Sequence, residues 1–223
     1  MGQRGPKPKG RVNTTWRPEL AYAVGLITAD GSLSCNGRHI NFTSKDLSLI
    51  KVFQNCLSLH DIKIGTKARA KEIEKIYFQV QFGDVLFYRF LESIGLCPNK
   101  SNSLQDVRIP GEFFFDFLRG EWDGDGTIYR SKDKRWKNSY IISIGFASGS
   151  LPFLIWLQSE INKRLNTSGH IVASQRAKQL RYARADSKKI FDAMFYKATL
   201  PHLPRKFAKA KEIYRIDALN SLN

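Results

Sequence analysis

The sequence is poor in cysteine and in long apolar runs, and each shortage excludes a class of protein. Its 223 residues include 3 cysteines, an odd number without zinc-site spacing, which predicts free thiols in a reducing compartment. No apolar run approaches the length of a membrane span. The opening residues lack a hydrophobic signal segment, so we expect the cytoplasm, or an organellar matrix in a eukaryote.

Acidic residues are also scarce relative to basic ones. The chain has 36 Lys and Arg against 20 Asp and Glu, which gives a formal net charge of +16. This excess is larger than solubility requires, and it predicts a polyanionic partner. Nucleic acid is the first candidate, and an anionic membrane surface is the second. Hydrophobic residues make up 42% of the chain, which is enough to form a core.

What the sequence does contain is one motif that occurs twice. The segments AVGLITADG and FLRGEWDGDG each close on an Asp-Gly pair, at Asp30 and at Asp125, which are 95 residues apart. Each segment has a glycine five residues before the acid, Gly25 and Gly120. Glycine inside a helix costs about 1 kcal/mol relative to alanine. Two glycines at equivalent helical positions therefore predict a close approach of two helices.

The similarity between the copies extends beyond the motif, as a true duplication should. The segment INFTSKDLSLIKVFQNCL (40–57) matches IGFASGSLPFLIWLQSEI (144–161), and GLCPNKS (95–101) matches LPHLPRKF (200–207). Extra residues in the second copy fall in 130–140, which predicts an enlarged hairpin tip. The predicted organisation is a basic flexible arm at 1–17, a first half at 18–96, a linker at 97–110, and a second half with a basic C-terminal helix at 111–223.

The two motif acids are electrostatically unusual. A helix C-terminus has a partial negative charge of roughly half an elementary charge, so an aspartate there needs a compensating cation or cap. A single Asp-Gly pair is usually only a helix stop followed by a turn, but two equivalent pairs argue against that interpretation. If the motif helices pack together, Asp30 and Asp125 lie close to each other, and their oxygen ligands suit a hard divalent cation such as Mg²⁺. Glu121 and Asp123 do not occupy the position equivalent to Asp30, so we rank them below Asp125 as metal ligands.

Basic side chains alternate with apolar ones along the segments that we expect to be strands. A lone strand of this kind is usually a solvated surface, but several basic strands in register can follow a phosphate backbone and reach into a major groove. A basic C-terminal stretch forms either additional phosphate contacts or a solvated helix face; it contains Arg205, Lys206, Lys209, Lys211 and Arg215. The candidate DNA contacts are two serines and the basic residues of the strands and the hairpin: Ser44, Ser148, Lys63, Lys67, Arg69, Lys71, Arg130, Lys132, Lys134, Arg135, Arg176, Lys178, Arg181 and Arg184.

These features resemble the LAGLIDADG homing endonuclease family, in its monomeric two-motif branch. AVGLITADG matches the name motif closely, with Thr28 at its first aspartate position, and LRGEWDGDG matches it more loosely. The resemblance extends from about Trp16 to about Lys211. It implies an α+β fold of two pseudo-symmetric αββαββα halves, with the motif helices packed at the interface and two antiparallel, saddle-shaped sheets that grip double-stranded DNA.

The resemblance also implies an activity. The chain would be a site-specific endonuclease that hydrolyses both strands of a long DNA site by divalent-metal catalysis, acting as a monomer and not at a membrane. Asp30 and Asp125 would be catalytic and would bind the metal, with the backbone carbonyls of Ala29 and Gly124 as further ligands. We expect Mg²⁺ as the cofactor, with Mn²⁺ as a substitute and Ca²⁺ supporting binding without cleavage.

The sequence departs from the family at the positions around the attacking water. Where relatives often have glutamine this chain has Ser44 and Ser148, and the candidates for the basic catalytic role are Lys45 and either Lys188 or Lys189. Other functions stay open. They are a catalytically weak intron maturase or DNA-binding regulator on the same fold, an endonuclease embedded in an intein, and a basic structural or RNA-binding protein whose Asp-Gly pairs are only turns. The presence of both motif acids favours cleavage.

Overall fold

The structure is a computed structural model that describes residues 10–69, 72–133, 140–173 and 177–220. The first unit has the order αββαββα. Its elements are α1 (Pro18–Asp30), β1 (Gly31–Leu33), β2 (His39–Ser44), α2 (Leu47–Leu57), β3 (Gly65–Arg69), β4 (Glu72–Gly83) and α3 (Val85–Ser93).

The second unit repeats this order after a short 3-10 helix at Gly111–Phe113. A further helix follows it in the chain. The elements are α4 (Phe114–Asp125), β5 (Gly126–Lys132), β6 (Tyr140–Ser148), α5 (Leu151–Leu165), β7 (His170–Ala173), β8 (Lys178–Ala183), α6 (Arg184–Met194) and α7 (Pro204–Asn220).

Each unit contains one antiparallel sheet of four strands, and the two sheets have the same topology. The strand orders are β1-β2-β4-β3 and β5-β6-β8-β7. The register also repeats, because Gly31 pairs with Phe42 in the first sheet and Gly126 pairs with Phe146 in the second. The predicted α+β fold of two pseudo-symmetric αββαββα halves is therefore confirmed.

The motif helices α1 and α4 pack against each other at the two glycines of the repeat. A Cβ atom on Gly25 would lie 2.1 Å from the Phe117 carbonyl oxygen, and one on Gly120 would lie 2.0 Å from the Tyr22 carbonyl oxygen. Helix α1 is buried from Leu20 to Thr28. A helix that is buried around its whole circumference belongs in the centre of a core. The two units thus share one core, with α1 and α4 in the middle.

Residues 10–17 lie against the packed units. The backbone N–H groups of Arg11 and Val12 donate to Asp84 Oδ2 at 2.6 and 3.0 Å, and Val12 is buried. The Trp16 ring packs against Phe90, with a centroid distance of 5.3 Å. The part of the predicted flexible arm that the structure describes is therefore held by specific contacts. Residues 1–9 lie outside the described residues.

Other sequence expectations can be compared with the same structure. The three cysteines are free, as their spacing predicted. Strands β5 and β6 flank the predicted enlarged hairpin, although 134–139 lies outside the described residues. Within the described parts of the chain, none of the helices combines the length and apolar character needed to cross a bilayer.

Candidate functional site

The two motif acids lie on one cleft because of the way in which their helices pack. Helix α1 ends at Asp30 and α4 ends at Asp125, each five residues after the glycine at the helix contact. A Cβ atom on Gly124 would lie 3.7 Å from Asp30 Oδ2, so the two helix ends are close. The cleft has a volume of about 360 Å³, and its lining includes Asp30, Thr43, Ser44, Lys45, Asp46, Tyr77, Asp123, Gly124, Asp125 and Arg205.

A buried lysine caps the C-terminal end of each motif helix. Lys100 Nζ donates to the Gly31 carbonyl oxygen at 2.6 Å. Lys206 Nζ donates to the carbonyl oxygens of Trp122, Asp123 and Gly126 at 2.6, 3.0 and 2.8 Å. The ammonium groups balance the partial negative charge of the helix ends, next to the motif aspartates. These lysines are the compensating cations that an aspartate at a helix C-terminus requires.

Sequence reasoning missed the role of both lysines. Lys100 was not among the candidates, and Lys206 was grouped with the cations of the C-terminal stretch. The signal was present in the second pair of matching segments, where Pro98 and Pro204 each precede a lysine by two residues. A shared Pro-x-Lys spacing in both copies points to an equivalent position for the two lysines.

Burial shifts the acid–base properties of the groups around the cleft. Desolvation lowers the pKa of Lys100 and lowers that of Lys206 to about 8. Desolvation also raises the pKa of Asp125, and the two lysines oppose that shift. The pKa of Glu121 rises well above its usual range, because the side chain is buried and Asp125 adds negative charge. Glu121 is therefore a buried acid next to the cleft, whereas Asp30 and Asp125 are exposed to solvent.

Asp123 joins three parts of the structure. Its Oδ2 accepts hydrogen bonds from the Tyr22 hydroxyl of α1 and from the backbone N–H of Leu203, both at 2.8 Å. Burial raises the pKa of Asp123 to about 6, against the opposing effect of Lys206. This acid thus ties α4 to α1 and to the segment before α7, which gives it a structural role beside the cleft.

The two serines at the family's glutamine positions have matching local structures. Ser44 Oγ accepts from the backbone N–H of Asp46, and Ser148 Oγ accepts from that of Ser150, both at 3.1 Å. Ser44 lines the main cleft. Ser148 lines a smaller cavity of about 70 Å³, and Asp125 contributes to the walls of both. Each serine therefore stands near a motif acid.

The candidates for the basic catalytic role lie in different parts of the structure. Lys45 lines the main cleft, with Nζ at 5.1 Å from the centre of the Tyr77 ring. Lys188 lies on the exposed side of α6, where its Nζ pairs with Asp192 at 2.6 Å, and Lys189 pairs with Asp186 at 3.3 Å. The basic role suggested for Lys188 or Lys189 therefore stays a prediction. Both lie on α6 and pair with acids of the same helix, and neither lines the cleft.

The predicted DNA-contacting residues fall into groups. Arg130 and Lys132 lie on β5 and Lys178 and Arg181 on β8, while Lys67 and Arg69 lie on β3 and Lys63 just precedes it. Arg184 begins α6 and pairs with Asp217 at 2.6 Å, so it belongs to a helix contact and not to a strand face. The remaining candidates, Lys71, Lys134, Arg135 and Arg176, lie outside the described residues.

A basic groove runs beside the cleft on the second unit. It has a volume of about 450 Å³ and lies between the β5 and β8 strands and the start of α7. Arg205 lines both the groove and the cleft. The groove is lined by Gly126, Thr127, Ile128, Tyr129, Gln179, Arg181, Arg205, Lys206 and Lys209. Arg181 of β8 and the α7 cations Arg205, Lys206 and Lys209 thus converge next to the cleft.

The donor set of the cleft suits a hard divalent cation. Among the described residues no three His, Cys, Asp or Glu side chains form a complete cation cage. Mg²⁺ does not need one, because it usually binds through one or two carboxylates together with water and substrate phosphates. Glu121 Oε2 and Asp123 Oδ1 are buried beside the cleft without a hydrogen-bond partner. The all-oxygen acids Asp30 and Asp125 therefore fit such an ion.

Comparisons with known proteins agree with the fold and the motif. Residues 17–95 match the family model of a LAGLIDADG-like domain. This match covers the first unit, and the second unit repeats its motif, element order and sheet topology. No curated protein sequence matches the chain.

Several solved structures share the fold. The homing endonuclease I-WcaI bound to its DNA recognition sequence is 12% identical, with a TM-score of 0.60, over 87% of this chain and 86% of that one. I-DmoI in complex with DNA and Mn is 16% identical, with a TM-score of 0.52, over 81% and 97%; another I-DmoI complex holds DNA and Ca. Full-length DUF199/WhiA from Thermatoga maritima is 15% identical, with a TM-score of 0.55, over 94% and 69%. At these identities the likeness establishes the fold.

Proposed function

We propose that this chain is a site-specific double-strand DNA endonuclease that hydrolyses phosphodiesters on both strands of a long site. The observation that carries the proposal is the placement of Asp30 and Asp125 together on one cleft, at the ends of two packed helices and beside a basic groove. Because one chain supplies both acids, we propose that it acts as a monomer. The similarity to DNA-bound homing endonucleases supports duplex DNA as the partner.

Asp30 and Asp125 would hold the divalent cation, with the main-chain carbonyls of Ala29 and Gly124 as the next candidates. When bound there, Mg²⁺ supplies an electrophile that stabilises the negative charge developing on the phosphate. The Mn and Ca complexes of I-DmoI support a hard divalent ion at this site. We expect Mg²⁺ as the cofactor, with Mn²⁺ replacing it and Ca²⁺ allowing DNA binding only.

The protein's own residues would bind and position the substrate. Lys100 and Lys206 fix the helix ends and so hold the motif acids in place, and their positive charge favours the ionised acids that bind a cation. Lys45 lines the cleft and would contact a phosphate. Ser44 and Ser148 offer hydroxyl groups that orient water near the two acids.

The proposal is tested by selecting cleaved molecules from a randomised duplex library in Mg²⁺, with Ca²⁺ as the binding-only condition. A single long site should be enriched among the cut molecules. The same selection with Asp30→Asn or Asp125→Asn should yield bound but uncut DNA in both conditions. Cutting by both variants at the wild-type rate would contradict the assignment.

A second function on the same fold is favoured by one comparison. DUF199/WhiA has an N-terminal LAGLIDADG domain and is not described as an endonuclease. A DNA-binding regulator or a catalytically weak maturase would therefore also be consistent with the fold. Enrichment of a long site by binding in Ca²⁺, without any cut product in Mg²⁺ or Mn²⁺, would favour this alternative.

A further inference from the structure

One ion pair crosses from the first unit to the second at the cleft. The Arg205 guanidinium donates two hydrogen bonds to the Asp46 carboxylate, from Nε to Oδ1 at 2.9 Å and from Nη2 to Oδ2 at 2.6 Å. Asp46 precedes α2 in the first unit, and Arg205 lies in the first turn of α7. Both side chains line the cleft that contains the motif acids.

The repeat shows that this pair has no charged counterpart. Asp46 lies two residues after Ser44, which ends β2. The equivalent residue of the second unit is Ser150, two residues after the end of β6. Arg205 precedes the lysine that caps α4, and the equivalent residue before the other capping lysine is Asn99. Ser150 donates its hydroxyl to the Leu104 carbonyl oxygen. The pseudo-symmetric site thus has an acid and a cation on one side, and a hydroxyl and an amide on the other.

Arg205 is available to a ligand although it is paired. Its side chain is 64% exposed, whereas that of Asp46 is 23% exposed. Exposed ion pairs contribute little stability, so another anion can replace the carboxylate at low cost. The guanidinium also lines the basic groove, together with Arg181 and Lys209. A strand that runs from the groove into the cleft would therefore pass over Arg205.

The carboxylate of Asp46 is not needed to cap its own helix. Asp46 is the residue before α2, yet its side chain makes no capping hydrogen bond. Its interaction partner is instead Arg205, which lowers the pKa of Asp46 by hydrogen bonding and keeps the carboxylate ionised. Asp46 thus presents a stable negative charge to the Arg205 guanidinium.

We propose that Arg205 binds a phosphate of one DNA strand only, and that Asp46 occupies the guanidinium until DNA displaces it. A phosphate offers the same bidentate geometry as a carboxylate and carries its charge on more oxygens. Asp46 then acts as a competitor that weakens DNA binding, and Arg205 as a positioning residue for a single strand. This proposal rests on the proposed function only in that it requires duplex DNA as the partner.

The test uses the full chain, Ca²⁺, and a duplex recovered by binding selection. Arg205→Asn, which copies Asn99, should weaken binding by about tenfold and reduce the slope of log K against log salt by about 1. Asp46→Asn should strengthen binding. Arg89→Asn is the matched control, because Arg89 is exposed on α3 and lines neither the groove nor the cleft. This control should leave binding unchanged.

The opposite signs separate the proposal from a purely structural role. If the ion pair served only to connect the two units, both variants would weaken binding, and that result would overturn the proposal.

Phosphate-ethylation interference on the same duplex tests the strand preference. The loss of Arg205 should remove the sensitivity to ethylation on one strand, and a loss of sensitivity on both strands would also overturn the proposal. If the wild-type chain binds DNA without cutting it, the proposed endonuclease activity is rejected, and the binding measurements still decide the proposal for Arg205 and Asp46. A wild-type chain that does not bind duplex DNA would overturn both.

Discussion

Gly25 lies directly against the main chain of α4 at Phe117. A Cβ atom at Gly25 would be 2.1 Å from the Phe117 carbonyl oxygen, far inside van der Waals contact, and the atom it meets is backbone that cannot rotate away. The mirror contact, from Gly120 to the Tyr22 carbonyl oxygen, is equally short at 2.0 Å. The two helices can therefore approach this closely only without side chains at these positions. The approach in turn brings their acidic ends together.

Gly25→Ala should destabilise the fold, because the added methyl group forces the two central helices apart. We expect a loss of about 3 kcal/mol in the free energy of unfolding, measured by urea denaturation. Gly111→Ala is the control: the nearest atom to its added Cβ would be 3.8 Å away, so the change should stay within about 0.5 kcal/mol. Equal stability of the Gly25 variant and the wild type would show that the helices are not in close contact.

Asp125→Asn and Asp30→Asn should each abolish double-strand cutting while DNA binding survives. The carboxylate charge that holds a divalent cation is lost, although the shape of the side chain is kept. We expect the cutting rate to fall by about 100-fold or more. The rate is measured by single-turnover cleavage of the selected duplex. Asp192→Asn removes an exposed acid that pairs with Lys188 on α6, and it should cut normally. Normal cutting by either motif variant would remove that acid from the mechanism.

Asp123 gives a prediction for the pH dependence of stability. Because burial raises its pKa from the ordinary 3.8 to about 6, the folded state binds more protons than the unfolded state between these values. Stability from this group is therefore present at low pH and decreases as the pH rises from about 4 to about 6. The loss is on the order of 1–3 kcal/mol.

Asp123→Asn should remove that part of the pH dependence. The amide oxygen can still accept from Tyr22 and from the Leu203 N–H, so the fold should persist. The measurement is urea denaturation of both proteins at several values between pH 4 and pH 6.5. Parallel stability curves for the variant and the wild type would contradict the assignment of a raised pKa to Asp123.

Lys206→Met should destabilise the protein more than a surface lysine would. The ammonium group donates to three carbonyl oxygens at the end of α4, and methionine removes this charged donor from a buried position. We expect a loss of about 2–4 kcal/mol, measured by chemical denaturation. Lys209→Met, on an exposed position of the same helix, is the control and should change stability little. Similar losses for the two variants would mean that the cap contributes no stability.

Much of the fold could be predicted from local patterns and from the repeat. The predicted first half starts at residue 18, and helix α1 begins there at Pro18, because proline fixes the backbone of a first turn at no hydrogen-bond cost. The matching segments placed the strands of the two units in the same order. A duplication carries this information because each copy must bury the same faces against the same partner elements.

The parts that could not be predicted depend on contacts between distant segments. Lys206 caps a helix end 80 residues earlier in the chain, at Gly126, and Asp46 meets Arg205 across 159 residues. No periodicity or spacing reports such contacts. The sequence offered Lys188 or Lys189 for the basic catalytic role, and the structure shows that Lys188 pairs with Asp192 on the exposed side of α6. Side-chain direction on a helix, unlike the existence of the helix, depends on which face the rest of the protein covers.

Binding to duplex DNA should fall steeply as salt rises. A chain of this length can cover more than one turn of duplex and neutralise about 6–10 phosphates, so affinity should drop about 10³- to 10⁵-fold between 50 and 200 mM salt. The cations that line the groove contribute to this slope, and Arg181→Gln should reduce it by about 1. Lys188→Gln should not, because Lys188 pairs with Asp192 away from the groove. The slope is measured by fluorescence anisotropy on a labelled duplex in Ca²⁺. An affinity that does not depend on salt would show that the excess positive charge of the chain does not serve DNA binding.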